Sequence, residues 1–278
     1  MATVKAVILG VIQGLTEFLP VSSSGHLVLS QHLFGIKKPE VFFDVVLHLG
    51  TLTAVCLVFR RDIAALAAEL LHLPKVVRGR DSLAAAWRER PNFRLLVLIL
   101  AGTIPTGLIG FIFQDFLESL FASTFAVGLA LLVTGSILFL TRLIKDGGRG
   151  ITGFRAVDAL LIGLAQGLAI TPGISRSGFT ISTGLFLGLD RELAARYSFL
   201  LSIPAILGAL IIQFEGVAAS SFDLLAFGLG FLAAVISGWL AIILLLKIVR
   251  RGDLHYFAYY CWLVGLVTLG LTIYGISG

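Results

Sequence analysis

The chain has 278 residues, of which 58% are hydrophobic and 13% charged, and its mean hydropathy is +1.00. A soluble domain is roughly one quarter charged, so composition excludes an ordinary soluble enzyme and points to a membrane protein. The formal charge of +5 and the pI near 9.5 are read as topology signals, because Lys and Arg favour cytoplasmic loops and anionic headgroups. No nucleic-acid signature accompanies them.

The apolar runs are continuous rather than alternating, which predicts helices and not a barrel. The N-terminal stretch reads as part of the working protein rather than a cleavable signal: it holds one basic residue, Lys5, has no small-residue cleavage pattern, and carries a polar motif of its own. In chain order, six runs look able to span: about 41–60, 92–113, 119–143, 196–214, 222–249 and 255–276. Two further regions, 4–35 and 154–190, are apolar but broken near the middle by Gly, Pro and Ser. A break facing lipid would leave backbone groups unpaired, so each is expected to be a re-entrant helix–loop–helix buried in protein or facing a water-filled cavity. Cys56 and Cys261 fall in apolar runs and read as packing residues rather than a disulfide or metal pair. The stretch "DIAALAAELLHL" in the loop 61–91 has helical periodicity and is expected along the membrane surface, with His72 solvated or interfacial.

The broken regions repeat one another. Shifted by 153 positions, Gly10 meets Gly163, Gln13 meets Gln166, Gly14 meets Gly167, Leu15 meets Leu168, Ser22 meets Ser175, Ser24 meets Ser177 and Gly25 meets Gly178. Each is followed by three spanning runs, an odd number, so the second copy starts from the opposite side. The expected fold is therefore an all-α polytopic membrane protein with an inverted-topology repeat, six transmembrane helices and two re-entrant hairpins. Residues 1–143 form the first repeat and 152–278 the second, within one integral membrane domain. With the run 41–60 directed inward, every Lys and Arg except Lys5, Lys37, Lys38 and Arg176 falls on the cytoplasmic side, and the loops at 114–119 and 215–222 hold none. Both termini are then expected outside.

The polar break "QGLTEFLPVSSSGH" carries chemistry. Gln13 and Glu17 lie four apart on one helix face, Pro20 ends that helix, and Ser22, Ser23 or Ser24 can cap the next helix, with Gly25 in the same loop. Ionisable residues at membrane depth are costly and are candidates for function, and here Glu17 and His26 flank three hydroxyls. The second break, "TPGISRSGFT", adds Arg176, a rigid fork of donors suited to phosphate. Gly173 and Gly178 let backbone N–H groups approach an anion at a helix start, beside Ser175 and Ser177. The alternative for Arg176 is a structural pair with Glu17. Together the loops read as a phosphate-handling site open to lipid. Asp44 and His48, four apart, read as a satisfied buried pair, with support of that site from behind as the alternative, and Glu215 and Asp223 as solvated outer-loop residues.

"GxxxGLTEFLPVSSSGH" and "PGISRSG", with "FFDVVLHLGTLTAV" at 42–55, resemble the signature segments of the undecaprenyl-diphosphate phosphatases, the bacitracin-resistance protein family. The resemblance covers essentially the whole chain. It implies a multi-pass protein of the bacterial inner membrane whose outward-facing site removes the terminal phosphate of undecaprenyl diphosphate, returning the carrier lipid to peptidoglycan synthesis and giving bacitracin resistance. It further implies a divalent cation, Mg2+ or Ca2+, and is compatible with a homodimer. Carried over by position, Glu17 is the second acid of the family's pair, His26 its histidine and Ser23 its nucleophile. Ser22 and Ser24 are supporting hydroxyls, and Arg176 binds phosphate with Ser175 and Ser177 beside it. Gln13 stands where many members have Glu, so metal binding would rest on Glu17, Gln13 and the substrate's phosphates. Two mechanisms stay open: attack by Ser23 with His26 as base, or attack by water activated by His26 or Glu17. A transporter or flippase of a lipid phosphate or another anion is the alternative function, since broken helices and inverted repeats also build transporters.

Overall fold

The computed structural model describes residues 3–33, 41–78, 82–145, 148–214 and 224–274. Among them the chain is all-helical apart from one isolated bridge, Arg149 with Leu189. Thirteen α-helices follow in order among the described residues: α1 Thr3–Phe18, α2 Ser23–Leu33, α3 Val41–Val58, α4 Arg60–Val77, α5 Leu83–Glu89, α6 Pro91–Ile112, α7 Gln114–Phe121, α8 Thr124–Leu140, α9 Ala156–Leu168, α10 Arg176–Phe186, α11 Arg191–Phe214, α12 Leu224–Arg251 and α13 Phe257–Ile273. Lys37, Lys38, Arg80, Glu215 and Asp223 lie outside the described residues.

Among the described residues, five helices are long and apolar enough to cross a membrane: α6, α8 with its 3-10 extension to Leu143, α11, α12, and α13 with the 3-10 turn from Asp253. The sixth expected span, 41–60, is α3. It meets the length test only together with α4, and the two are bent by 86° at Phe59. The bend separates an apolar rod from an amphipathic one that begins Arg60-Arg61-Asp62, the physical reason "DIAALAAELLHL" does not continue the span. The run expected at 119–143 begins later than its hydropathy suggests, because Ser123 caps α8 by accepting from the Ala126 N–H and splits off the short helix α7. Outward faces such as Leu100, Ile104, Leu108 and Phe111 of α6, or Leu263, Leu266 and Val267 of α13, are exposed leucines, isoleucines and phenylalanines. An apolar surface of that extent has lipid, not water, as its solvent, and the chain is a multi-span helical membrane protein.

The broken regions do form helix pairs, α1–α2 and α9–α10. α1 packs along α12, α9 along α6, and α8 along α13. Glycines let the first two pairs close. A Cβ on Gly10 would sit 2.3 Å from the Gly230 carbonyl oxygen, and one on Gly163 would sit 2.0 Å from that of Gly102. One turn on, Gly14 faces Ser237 and Gly167 faces Ile109, each seven residues beyond its partner glycine. Glycines paired by the 153-residue shift are thus both points of close helix approach.

A buried aromatic cluster lies at the centre, around Phe18, Phe59 and Phe199, with Phe154 edge-on to Tyr197 at 4.7 Å. The Tyr197 hydroxyl donates to the Leu98 carbonyl at 2.7 Å, satisfying the one polar atom of that ring. Several basic residues expected to mark the cytoplasmic side also build the fold. Arg149 donates to the carbonyls of Gly153 and Leu187 and pairs with Asp158 at 2.8 Å, while Arg94 donates to the Phe154 carbonyl. Arg196 pairs with Asp62, tying α11 to α4.

Candidate active site

The two breaks have the same local chemistry. α1 ends at Phe18, two residues before Pro20, because the residue preceding a proline is driven out of the helical region. Ser22 then adopts φ 70°, a left-handed value rare for a side chain larger than glycine. Its hydroxyl accepts from the Gly25 N–H, capping α2. Ser175 caps α10 in the same way, accepting from the Gly178 N–H at 3.1 Å. Each cap lies 3.3 Å from the hydroxyl two residues on, Ser24 and Ser177 respectively.

The breaks are also stitched together. The Gly173 N–H donates to the Ser22 hydroxyl at 3.1 Å. Gly173 has φ +93°, and a Cβ there would come within 2.5 Å of the Val127 carbonyl oxygen, so the position demands glycine twice over. Thr134, from α8, fixes the second loop by donating to the Gly173 carbonyl and accepting from the Ser175 N–H. Cys261, from α13, holds the first through its thiol on the Pro20 carbonyl, 3.4 Å away.

This stitching places the first residues of α2 and α10, Ser23 and Arg176, against one carboxylate. Glu17 is 8% exposed. Its Oε1 accepts from Arg176 Nη2 at 2.7 Å. Its Oε2 accepts from the Ser23 hydroxyl at 2.6 Å and from the Gln13 amide at 3.0 Å. Under the repeat register Ser23 and Arg176 are equivalent positions, so one geometric slot is a hydroxyl in the first copy and a guanidinium in the second. Two positive helix ends converge there, an arrangement suited to a carboxylate or a phosphate. The other Arg176 arm, Nη1, is buried with no hydrogen-bond partner. A guanidinium with one arm anchored and one without a partner has donors left to offer an anion.

His26 takes a different position from the one its sequence neighbours suggest. Its Nδ1 lies 2.8 Å from the Ser22 carbonyl oxygen and its Nε2 lies 2.7 Å from the Tyr260 hydroxyl. Ser23 is therefore bonded to Glu17, and His26 to the first loop's backbone and to α13. His48, read from sequence as part of a satisfied pair, comes with its Nε2 to 4.0 Å from Glu17 Oε2, and its Nδ1 bonds the Asp44 carbonyl. Thr134 and Tyr260 are site neighbours that sequence reasoning did not assign, and His48 is one it held only as the second choice. The i, i+4 spacing of Asp44 and His48 was the single signal among them.

The donors can be tested against a divalent cation. Among the described residues, no group of three or more His, Cys, Asp or Glu side chains comes together to hold a metal. Glu17 offers a carboxylate, and beside it Gln13 Oε1 is buried without a partner. Mg2+ and Ca2+ take hard oxygens, and Mg2+ commonly binds one or two carboxylates plus substrate phosphates rather than an all-protein cage. The donor set fits a cation completed by a bound diphosphate.

A family model described as bacitracin resistance protein BacA matches residues 6–267. A protein named undecaprenyl-diphosphatase from Desulforapulum autotrophicum is 48% identical, with 97% of this chain and 98% of the relative covered. Proteins of the same name from Carboxydothermus hydrogenoformans and Methanobrevibacter smithii are each 44% identical, covering 99% of both chains and 96% of both chains respectively. A match of that length takes in both breaks and the helices that stitch them, and on it the chain belongs to the bacitracin resistance protein BacA family.

Proposed function

We propose that this protein hydrolyses undecaprenyl diphosphate to undecaprenyl phosphate and inorganic phosphate, recycling the carrier lipid for peptidoglycan synthesis and so giving bacitracin resistance. The observation that carries the mechanism is the shared carboxylate: Glu17 holds the Ser23 hydroxyl on one oxygen and Arg176 on the other, while Arg176 Nη1 stays free. The diphosphate enters with its terminal phosphoryl oxygens on Nη1 and on N–H groups at the starts of α2 and α10. Ser23 Oγ attacks the terminal phosphorus and its proton passes to Glu17 Oε2. The bond from phosphorus to the bridging oxygen breaks, and undecaprenyl phosphate leaves. Water then attacks the phosphoserine, its bond to Ser23 Oγ breaks, and Glu17 returns its proton to that oxygen, so that phosphate leaves and Ser23 and Glu17 are both restored. The 2.6 Å bond supports Glu17 rather than His26 as the acceptor of the serine proton. Glu17 and Gln13 would hold the divalent cation, which when bound neutralises charge on the diphosphate.

The inverted repeat is part of this reading. Glycines at matching positions pack α1 on α12 and α9 on α6, and Ser22 and Ser175 each cap the following helix by accepting from the N–H three residues on. This supports two re-entrant hairpins meeting at a midplane site that opens outward, with both termini outside.

The deciding experiment is phosphate release from undecaprenyl diphosphate by the purified protein in detergent. Release is expected with Mg2+ or Ca2+ and is expected to fall to background with excess chelator. No release by folded protein under either metal would leave the loops as an anion-holding site of a transporter. Arg176→Lys is expected to lose about 10²- to 10³-fold in kcat/KM, the scale for removing a preorganised donor. An ammonium is a point charge that cannot hold Glu17 and a phosphoryl oxygen on two fixed arms. Near-normal turnover would show that charge alone is used.

A further inference from the structure

We infer that Tyr260 is a positioning residue for the site, acting through His26; this rests on the diphosphatase reading above. His26 is held at both ring nitrogens. Its Nδ1 faces a carbonyl oxygen, Ser22 O, at 2.8 Å, and a carbonyl can only accept. The proton therefore sits on Nδ1 and the neutral ring leaves Nε2 as an acceptor. Tyr260 fills it, its hydroxyl donating across 2.7 Å from a helix 234 residues away in sequence. The rings also stack, with centroids 5.6 Å apart and planes 12° from parallel. His26 is thus fixed at both nitrogens and over one face.

What it holds is the strained turn. The Ser22 carbonyl accepts from both the His26 side chain and the His26 backbone N–H, the latter at 3.2 Å. Ser22 carries φ 70°, caps α2 and receives the Gly173 N–H. A left-handed serine persists only where its surroundings over-determine it. The chain Tyr260–His26–Ser22 therefore runs from α13 to the turn that sets where Ser23, the next residue, points. Tyr260 is half-exposed rather than buried in the core. Its hydroxyl is thus not needed to satisfy an interior group, and its partner is a site residue.

Tyr260→Phe keeps the ring and the stack and removes only the hydroxyl. Its expected effect is a kcat about tenfold lower, the value of one hydrogen bond felt in the transition state, with KM within about twofold of the parent. Tyr259→Phe, one residue away and packed on Trp262 and Phe139, should match the parent and controls for surface effects. The His26→Ala, Tyr260→Phe double variant should turn over no more slowly than His26→Ala alone, because the tyrosine acts through the histidine. Nitrogen NMR of 15N-histidine-labelled protein gives a readout independent of turnover. The His26 ring, assigned by its loss in His26→Ala, should show the Nδ1–H tautomer with a hydrogen-bonded Nε2, and the Nε2 signal should move in Tyr260→Phe. A His26 signal unchanged by Tyr260→Phe, or a tenfold loss that repeats in the His26→Ala background, overturns the inference. If the parent releases no phosphate the diphosphatase reading fails, and the NMR arm still decides whether Tyr260 fixes His26.

Discussion

Ser23→Ala should abolish steady-state phosphate release, with kcat falling by at least about 10³-fold, as when the nucleophile of a nucleophile–base unit is removed. The parent enzyme, quenched in acid during turnover, should carry phosphate on Ser23, and mass spectrometry of the peptide would locate it. The size of the loss separates two mechanisms. If water attacks, Ser23 supplies one hydrogen bond, and alanine should cost about tenfold. If Ser23 attacks, nothing in the site replaces it. Ser24 sits 3.3 Å from Ser22, on the capping side of the turn, and Ser22 is committed to two backbone N–H groups. Ser22→Ala should therefore look different, a cap lost at about 1 kcal/mol of stability. Only Ser23 occupies the first helical position with its hydroxyl on a carboxylate.

The asymmetry between the copies explains what the sequence could convey. Gly10, Gly14, Ser22, Ser24 and Gly25 match their counterparts because both breaks need close packing and the same caps, and local demands of that kind are written in local residues. The residues proposed to do the chemistry sit where the two breaks differ. Ser23 stands against Arg176, Glu17 against Ile170 and His26 against Phe179, so the first break holds acid, hydroxyl and imidazole and the second supplies the positive fork. The meeting of Glu17 with Arg176 was legible as an alternative role for the arginine. The partner of His26 was not. A histidine three residues after a serine reads as its base, yet α2 turns the ring toward Tyr260, and no local pattern announces a contact across 234 positions. Thr134 escaped for the same reason: a threonine in a spanning helix is indistinguishable in sequence from one bonded to its own helix, as Thr103 is to the Ile99 carbonyl. The boundary at Phe59 was legible, since charge marked the end of the span and helical periodicity a separate surface helix beyond it, but nothing local gives the 86° angle.

Glu17→Gln should be as damaging to turnover as the serine variant and should betray a second effect. The amide keeps shape and can still bond Gln13 and Ser23, but it cannot take the serine proton, so kcat should fall by about 10²- to 10⁴-fold. It also removes the counter-charge of Arg176, whose side chain is 13% exposed and whose other arm has no partner. A charge stripped of its partner in such a setting costs about 3–5 kcal/mol when fully buried; partial access to solvent and the two helix ends make the lower figure or less the expected one here. The protein should therefore melt earlier in detergent as well as turn over slowly. Adding Arg176→Gln to Glu17→Gln takes the unpaired charge away. It should recover much of the thermal loss and none of the activity. Recovery of both would mean that Glu17 serves only to hold Arg176 in the fold. Recovery of neither would mean that the pair is not coupled in the folded enzyme. A double variant that is stable and inactive shows that what the pair does for the fold is separable from what it does in turnover, with Arg176 held on Glu17 by one arm and open to a phosphoryl group on the other.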